Sequence, residues 1–228
     1  MNVIVSIGGS VLVPTVDAAR VEVYASVVEQ LDDAGHDLGI VVGGGPTARE
    51  YIGAARELGG NEVELDQIGV AATRLNARLL VAALGDRAAP EPLQTHNRAK
   101  EVFTHGDIPV MGGTVAGHTT DAVATALAEH VDADLLIYAT SVDGVFDADP
   151  GQDDDASKFE SMTAGELVDV VSSIELAAGS NAPVDLLATK LLQRSGLRAV
   201  VLDGTDPAAL VDAVDGTHDG TDIVPQQS

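Results

Sequence analysis

The 228 residues contain no cysteine and no tryptophan, and only three lysines. Without cysteine, disulfides and thiolate metal sites are excluded. Aromatics make up 3% of the chain against 45% for all hydrophobic residues, so Val, Leu, Ile and Ala must build the core. That apolar content predicts a folded rather than a disordered chain. No apolar stretch approaches the ~20 residues that cross a membrane, and no basic segment precedes the first apolar run as in a signal peptide. A basic stripe for nucleic acid is missing as well. The expectation is a soluble, cytoplasmic protein with neither membrane nor nucleic acid as partner.

What is abundant is negative charge. The 36 acids, mostly aspartate, outnumber the 12 lysines and arginines, for a formal net charge of −24. They are spread along the chain, with one short block at Asp153-Asp154-Asp155. An acidic tail for a basic partner would concentrate them in one patch. A dispersed coat with lysine depleted looks like halophilic adaptation, because the Debye length shrinks to about 3 Å at 1 M salt.

Apolar runs alternate with helical periodicity. Strands are expected at 2–7, 38–42, 108–113, 134–140, 198–203 and 221–224. Helices are expected at 17–34, from Pro46 to the Gly59-Gly60 pair, and at 65–84, 97–105, 121–131, 163–173, 184–195 and 207–214. Near-continuous apolar strands interleaved with helices predict an α/β fold: a three-layer α/β/α sandwich on a mainly parallel sheet. We expect one domain over 1–228, with a compositional shift near residue 133 marking two halves, 1–132 and 133–228.

Such sheets bind ligands at the carboxyl ends of their strands, and three glycine-rich segments fall there. Gly8-Gly9-Ser10 follows the first strand, where a plain tight turn would read the same. Gly43-Gly44-Gly45-Pro46 follows the second and opens a helix, whose unpaired amides favour an anion. Arg49 lies one turn further on, facing that anion or else paired with Glu50 or Glu57. The third segment, GGTVAGHTTDAVA at 112–124, gathers glycines, three threonines and His118 just before a helix. Asp121 there is expected as its N-cap or a first-turn residue. Neither a Walker motif nor G-x-G-x-x-G is present, and the six histidines lack zinc-ligand spacing.

IGGSVL, VVGGGPTAREY, the 112–124 loop and TSVDGVFDADP at 140–150 together resemble the amino acid kinase superfamily, and within it the archaeal-type uridylate kinases. The resemblance covers essentially the whole chain. It implies transfer of the γ-phosphoryl group of ATP to UMP with Mg²⁺, by a homohexamer serving pyrimidine nucleotide synthesis. It places the acceptor in 1–132 and ATP in 133–228. Gly9 and Ser10 would hold the transferring phosphates, with Gly45 and Arg49 on the ATP side. UMP would meet Gly44, its ribose Asp66, and its uracil and phosphate the loop of Thr114, Val115, Ala116, Gly117, His118, Thr119 and Thr120. Thr140, Phe146 and Asp149 would bind the adenosine. Lys190 would sit by the leaving phosphate, and Asp121 would orient the catalytic groups. No protein side chain is expected to ligate the metal, which the ATP phosphates would hold.

Two positions depart from the superfamily pattern. Ser6 stands where many members carry a lysine that the archaeal-type enzymes usually lack, and Phe146 stands where tyrosine is frequent. Lys190 falls in an apolar-rich helix, where burial of its charge is costly unless an anion meets it. Two alternatives stay open: a kinase of the superfamily with an acyl, carbamate or isopentenyl phosphate acceptor, and a non-catalytic nucleotide or oxyanion binder on the same fold.

Overall fold

Strand β1 (Asn2–Ile7) is the spine of the sheet, and five of its six residues are buried. The computed structural model describes residues 1–148, 150, 153, 155–175 and 182–225. On one side β1 pairs in parallel with β2 (Asp37–Val42), placing Val5 opposite Ile40. On the other it pairs in parallel with β4 (Leu135–Thr140), placing Val5 opposite Ile137. With β3 (Val110–Met111), β5 (Ser161–Thr163), β6 (Ala199–Asp203) and β7 (Thr221–Val224), the order is β3-β2-β1-β4-β6-β7-β5. Every neighbouring pair is parallel except β6–β7. Because β4 lies beside β1, the sheet continues across the compositional shift near residue 133.

Successive strand residues face opposite ways, so β1 seeds two cores. Val3, Val5 and Ile7 pack with α2 (Ala18–Asp33), α4 (Glu62–Leu84) and α9 (Ala209–Asp215). On the other face Ile4 packs with α5 (His96–Thr104), α6 (Thr120–His130), α7 (Ala164–Glu175) and α8 (Leu186–Ser195). Ser6 shares that second face, which matters below. The remaining helices, α1 (Gly9–Leu12) and α3 (Gly45–Glu57), start directly after the glycines that end β1 and β2.

Helix ends follow local chemistry. Asn61 and Glu64 form a capping box on α4, and Asp17, Thr95, Thr119 and Asp185 cap α2, α5, α6 and α8 with side-chain oxygens. Left-handed Gly196 and Gly216 close α8 and α9.

Four expectations are corrected. The strand expected at 108–113 pairs regularly only over Val110–Met111, because Gly112 and Gly113 leave the sheet to lie against Thr73 of α4. The Gly8-Gly9-Ser10 segment is the start of a helical turn, α1. The three residues of β5, too few to show alternation, lie where a loop was expected. Finally, Glu62–Arg87 is long and apolar enough, by length and composition alone, to cross a membrane. In this fold α4 instead buries Leu65, Ala72, Ala77, Leu80 and Leu84 within the protein.

Candidate functional site

The three glycine segments meet at the carboxyl ends of β1, β2 and β3, and their glycines are there because backbone touches backbone. A Cβ at Gly9 would stand 2.2 Å from the Gly45 nitrogen, and one at Gly45 would stand 2.3 Å from the Gly9 carbonyl carbon. Gly45 also has φ +54°, the left-handed region open to glycine. The two turns are thus locked together. Among the described residues, the N–H groups of Gly9, Ser10 and Gly45 have no protein acceptor.

Beside this junction lies a cleft of about 420 Å³ between α3, α4 and the β3–α6 loop. Most of the expected acceptor residues line it: Gly44, Asp66, Val115, Gly117, His118, Thr119 and Thr120. Gly45 and Arg49, expected on the ATP side, line it too. Arg49 has paired with neither Glu50 nor Glu57; it is exposed and has no ion pair among the described residues. Thr114 and Ala116 face an adjoining groove on the far side of the loop.

Helix α4 holds both walls, through residues that sequence reading missed. Asn76, 2% exposed, donates through Nδ2 to the Gly43 and Gly44 carbonyls at 2.9 and 3.0 Å. The Thr73 hydroxyl accepts from Gly113 N at 2.6 Å, and Asp66 Oδ2 accepts from Gly117 N at 2.8 Å. One signal was available for Asn76: an amide inside the buried stripe of a helix requires partners.

Behind the junction, Ser6 Oγ donates to Asp121 Oδ1 at 2.7 Å. Asp121 lies in the first turn of α6, where burial pushes its pKa up to about 6. The charge of Asp185 adds to the rise, and the Ser6 hydrogen bond opposes it. Thr119, which caps α6, donates its hydroxyl to Asp185 Oδ2, while Asp185 Oδ1 caps α8 through Ala188 N at 3.0 Å. The β3–α6 loop is therefore joined to the helix that carries Lys190.

Lys190 corrects the burial expectation: its side chain is exposed on α8, so no desolvation cost marks it out. Its distinction is different. Of the 12 lysines and arginines, Arg49 and Lys190 alone have no hydrogen bond or ion pair among the described residues. Thr140 ends β4, its hydroxyl donating to the Val142 carbonyl at 2.9 Å, and Phe146 is half-buried opposite Lys158. Neither lines the cleft beside the glycine junction, nor does Lys190. Asp149 lies outside the described residues.

Among the described residues no group of three or more His, Asp or Glu side chains could hold a metal ion.

Residues 1–203 match the amino acid kinase family. The chain is 63% identical to the uridylate kinase of Haloarcula marismortui over 99% of its length and 100% of that protein. It is similar in structure to the uridylate kinase of Archaeoglobus fulgidus, with a TM-score of 0.89 and 43% identity over 98% of this chain and 100% of that one. The UMP kinase of Bacillus anthracis shares the fold at TM-score 0.82 and 24% identity, over 99% and 96% of the two chains.

Proposed function

The chain belongs to the amino acid kinase family, and on that premise we propose that it phosphorylates UMP with ATP, giving UDP and ADP for pyrimidine nucleotide synthesis. The observation that carries this is the pair of cations without a partner among the described residues, Arg49 and Lys190, in a chain where each of the other ten lysines and arginines is held by a carboxylate, a carbonyl or an amide oxygen. A cation left unpaired among 36 carboxylates is one reserved for an anion that arrives from outside.

The acceptor occupies the cleft in the 1–132 half, with Asp66 at the ribose, the 114–120 loop around uracil and phosphate, and Gly44 beneath. ATP occupies the 133–228 half, its adenosine at Thr140, Phe146 and Asp149. The Gly9, Ser10 and Gly45 amides lie between the two and hold the transferring phosphoryl group. No general base is required, because a phosphate monoester has a second pKa near 6 and is already an anionic nucleophile at neutral pH. The protein's task is to align two mutually repelling anions and neutralise the charge that spreads over the transferred group. Lys190 does so at the leaving phosphate, Arg49 at the acceptor junction, and Asp121 fixes the strand and helix ends around them. Mg²⁺, held mainly by the ATP phosphates, supplies further neutralisation when bound.

The reading extends to a cytoplasmic homohexamer. Residues 67–85 of α4 and its C-cap contain no acid, and Leu75 and Leu79 on this stretch are 55% and 36% exposed. In so acidic a protein, a face without carboxylates is where like copies can meet without repulsion. Light scattering in molar KCl gives the mass directly.

The test of function is ADP formation by the purified protein with ATP and Mg²⁺ in molar KCl. UMP, CMP, dUMP, acetylglutamate, carbamate and isopentenyl phosphate are offered in turn. Turnover with UMP, and poor use of dUMP through loss of the Asp66 contact, is expected. Turnover with another acceptor alone would overturn the assignment of the 114–120 loop, and silence with all six would leave a binding protein.

A further inference from the structure

The β3–α6 loop is a thin wall. The acceptor cleft lies on one side, and a second groove of about 410 Å³, lined by Val70, Arg74, Thr114 and Ala116, lies on the other. A segment with open space on both sides cannot be fixed by packing, and its position must come from hydrogen bonds. Arg74 supplies two of them. Its Nε donates to the Gly113 carbonyl and its Nη2 to the Thr114 carbonyl, each at 3.0 Å, while Nη1 donates to Gln94 Oε1 at 3.2 Å. A planar guanidinium is suited to this fork, since both donors reach consecutive carbonyls from one rigid group.

The direction of these bonds has a consequence on the other side of the wall. A trans peptide points its C=O and the following N–H in opposite directions, and no cis bond is present among the described residues. With the Gly113 and Thr114 carbonyls drawn to Arg74, the N–H groups of Thr114 and Val115 point away from it. Neither N–H has a protein acceptor among the described residues.

We propose that Arg74 is a positioning residue for the acceptor: by holding two carbonyls on the groove side, it presents the Thr114 and Val115 amides to the carbonyl or phosphate oxygens of the bound nucleotide. This rests on the acceptor reading of the cleft given above. The three hydrogen bonds of Arg74 all go to protein acceptors, which separates its role from that of Arg49, whose side chain has none among the described residues.

The experiment compares steady-state kinetics of the full chain and its Arg74→Met, Arg74→Lys and Gln94→Leu variants in molar KCl, varying UMP and ATP separately. Arg74→Met should raise KM for UMP by about tenfold while kcat and KM for ATP stay within about twofold. Arg74→Lys, with one compact donor head in place of the fork, should recover part of the loss, and Gln94→Leu should do least. A merely structural role would move both KM values and kcat together, or would lower Tm with no split, and either result overturns the proposal. So does an unchanged KM for UMP in Arg74→Met. If wild-type protein ignores UMP but turns over another acceptor, the function assignment fails while the same split, read on that acceptor, still decides the clamp. Silence of wild-type protein with every acceptor overturns both.

Discussion

The cleft between α3, α4 and the β3–α6 loop and the larger cavity beside α9 are walled by opposite chemistry. The cleft, about 420 Å³, is lined by glycine backbone, threonine hydroxyls, Arg49 and one carboxylate, Asp66, which already accepts from Gly117 N. The cavity, about 790 Å³, is walled by seven carboxylates, among them Asp143, Asp203, Asp219 and Asp222. Lys158 and Arg198 answer two of these, at 3.2 Å to Asp143 and 2.7 Å to Asp222. Volume therefore does not locate the site. An acidic protein can make room for an anion by clearing carboxylates from one locality, and here the amides and Arg49 are left there without partners among the described residues. Charges on the far wall of the molecule are screened within a few ångström in concentrated salt, whereas an amide about 3 Å from an oxygen is not.

The sharpest way to break this comparison is to spoil the amides. Gly9→Ala would set a methyl 2.2 Å from the Gly45 nitrogen and 2.5 Å from Gly43 backbone, so the two turns must separate. Losing aligned donors of this kind costs on the order of a hundredfold in kcat, and we expect at least that with circular dichroism unchanged. Normal turnover in Gly9→Ala would mean that the junction does not hold the transferring group. Next comes the unpaired lysine. Lys190→Ala should lower kcat by more than about tenfold and leave the affinity for UMP nearly intact. An unchanged kcat would remove Lys190 from the mechanism.

Much of this was legible in the sequence because the chemistry is local. Strand–helix alternation gave the parallel sheet, and glycine clusters at strand ends marked the cleft. What escaped was chemistry acting at a distance. Asn76, Thr73 and Arg74 reach loops 32 to 40 residues away, from a helix whose Ala/Leu pattern reads as packing alone. Arg20 is another case, donating through Nε to the Val11 carbonyl at 3.0 Å and through Nη2 to the Gly204 carbonyl at 3.3 Å, which braces α1 from behind. Lys190 was singled out by the family resemblance; the burial expected for it is overturned by the structure, and what marks it instead is its lack of a side-chain partner among the described residues. A run of apolar letters does not say which face of the helix a charge occupies until the helix is docked.

Asp121, which holds Ser6 behind the glycine junction, comes next, with an expected loss in kcat of less than about tenfold for Asp121→Asn. Its pKa in the folded protein, about 6, lies above its ordinary value of 3.8, with burial as the main cause. The folded state therefore holds the proton more tightly than the unfolded state. Its contribution to stability is complete at low pH and is lost as pH rises through about 6. Thermal melts from pH 4 to pH 7 should show a wild-type decline that Asp121→Asn lacks. The kcat profile cannot make this separation, since the acceptor phosphate also titrates near 6. Parallel melting curves for the two proteins would show that Asp121 is ionised throughout.

The smallest effect should come from the acidic cavity. Asp203→Asn with Asp219→Asn removes two charges from its wall and touches nothing in the acceptor cleft. At molar KCl, where the Debye length is about 3 Å, neither kcat nor KM should change beyond about twofold. Stability in dilute salt should rise, because self-repulsion in that wall is relieved where screening is weakest. The KCl concentration that half-restores the folded state should therefore fall in the double variant, as read by circular dichroism across a salt titration. A drop in kcat at molar KCl would instead join the two hollows functionally, and the local clearing of carboxylates would no longer account for how this chain accommodates its substrates.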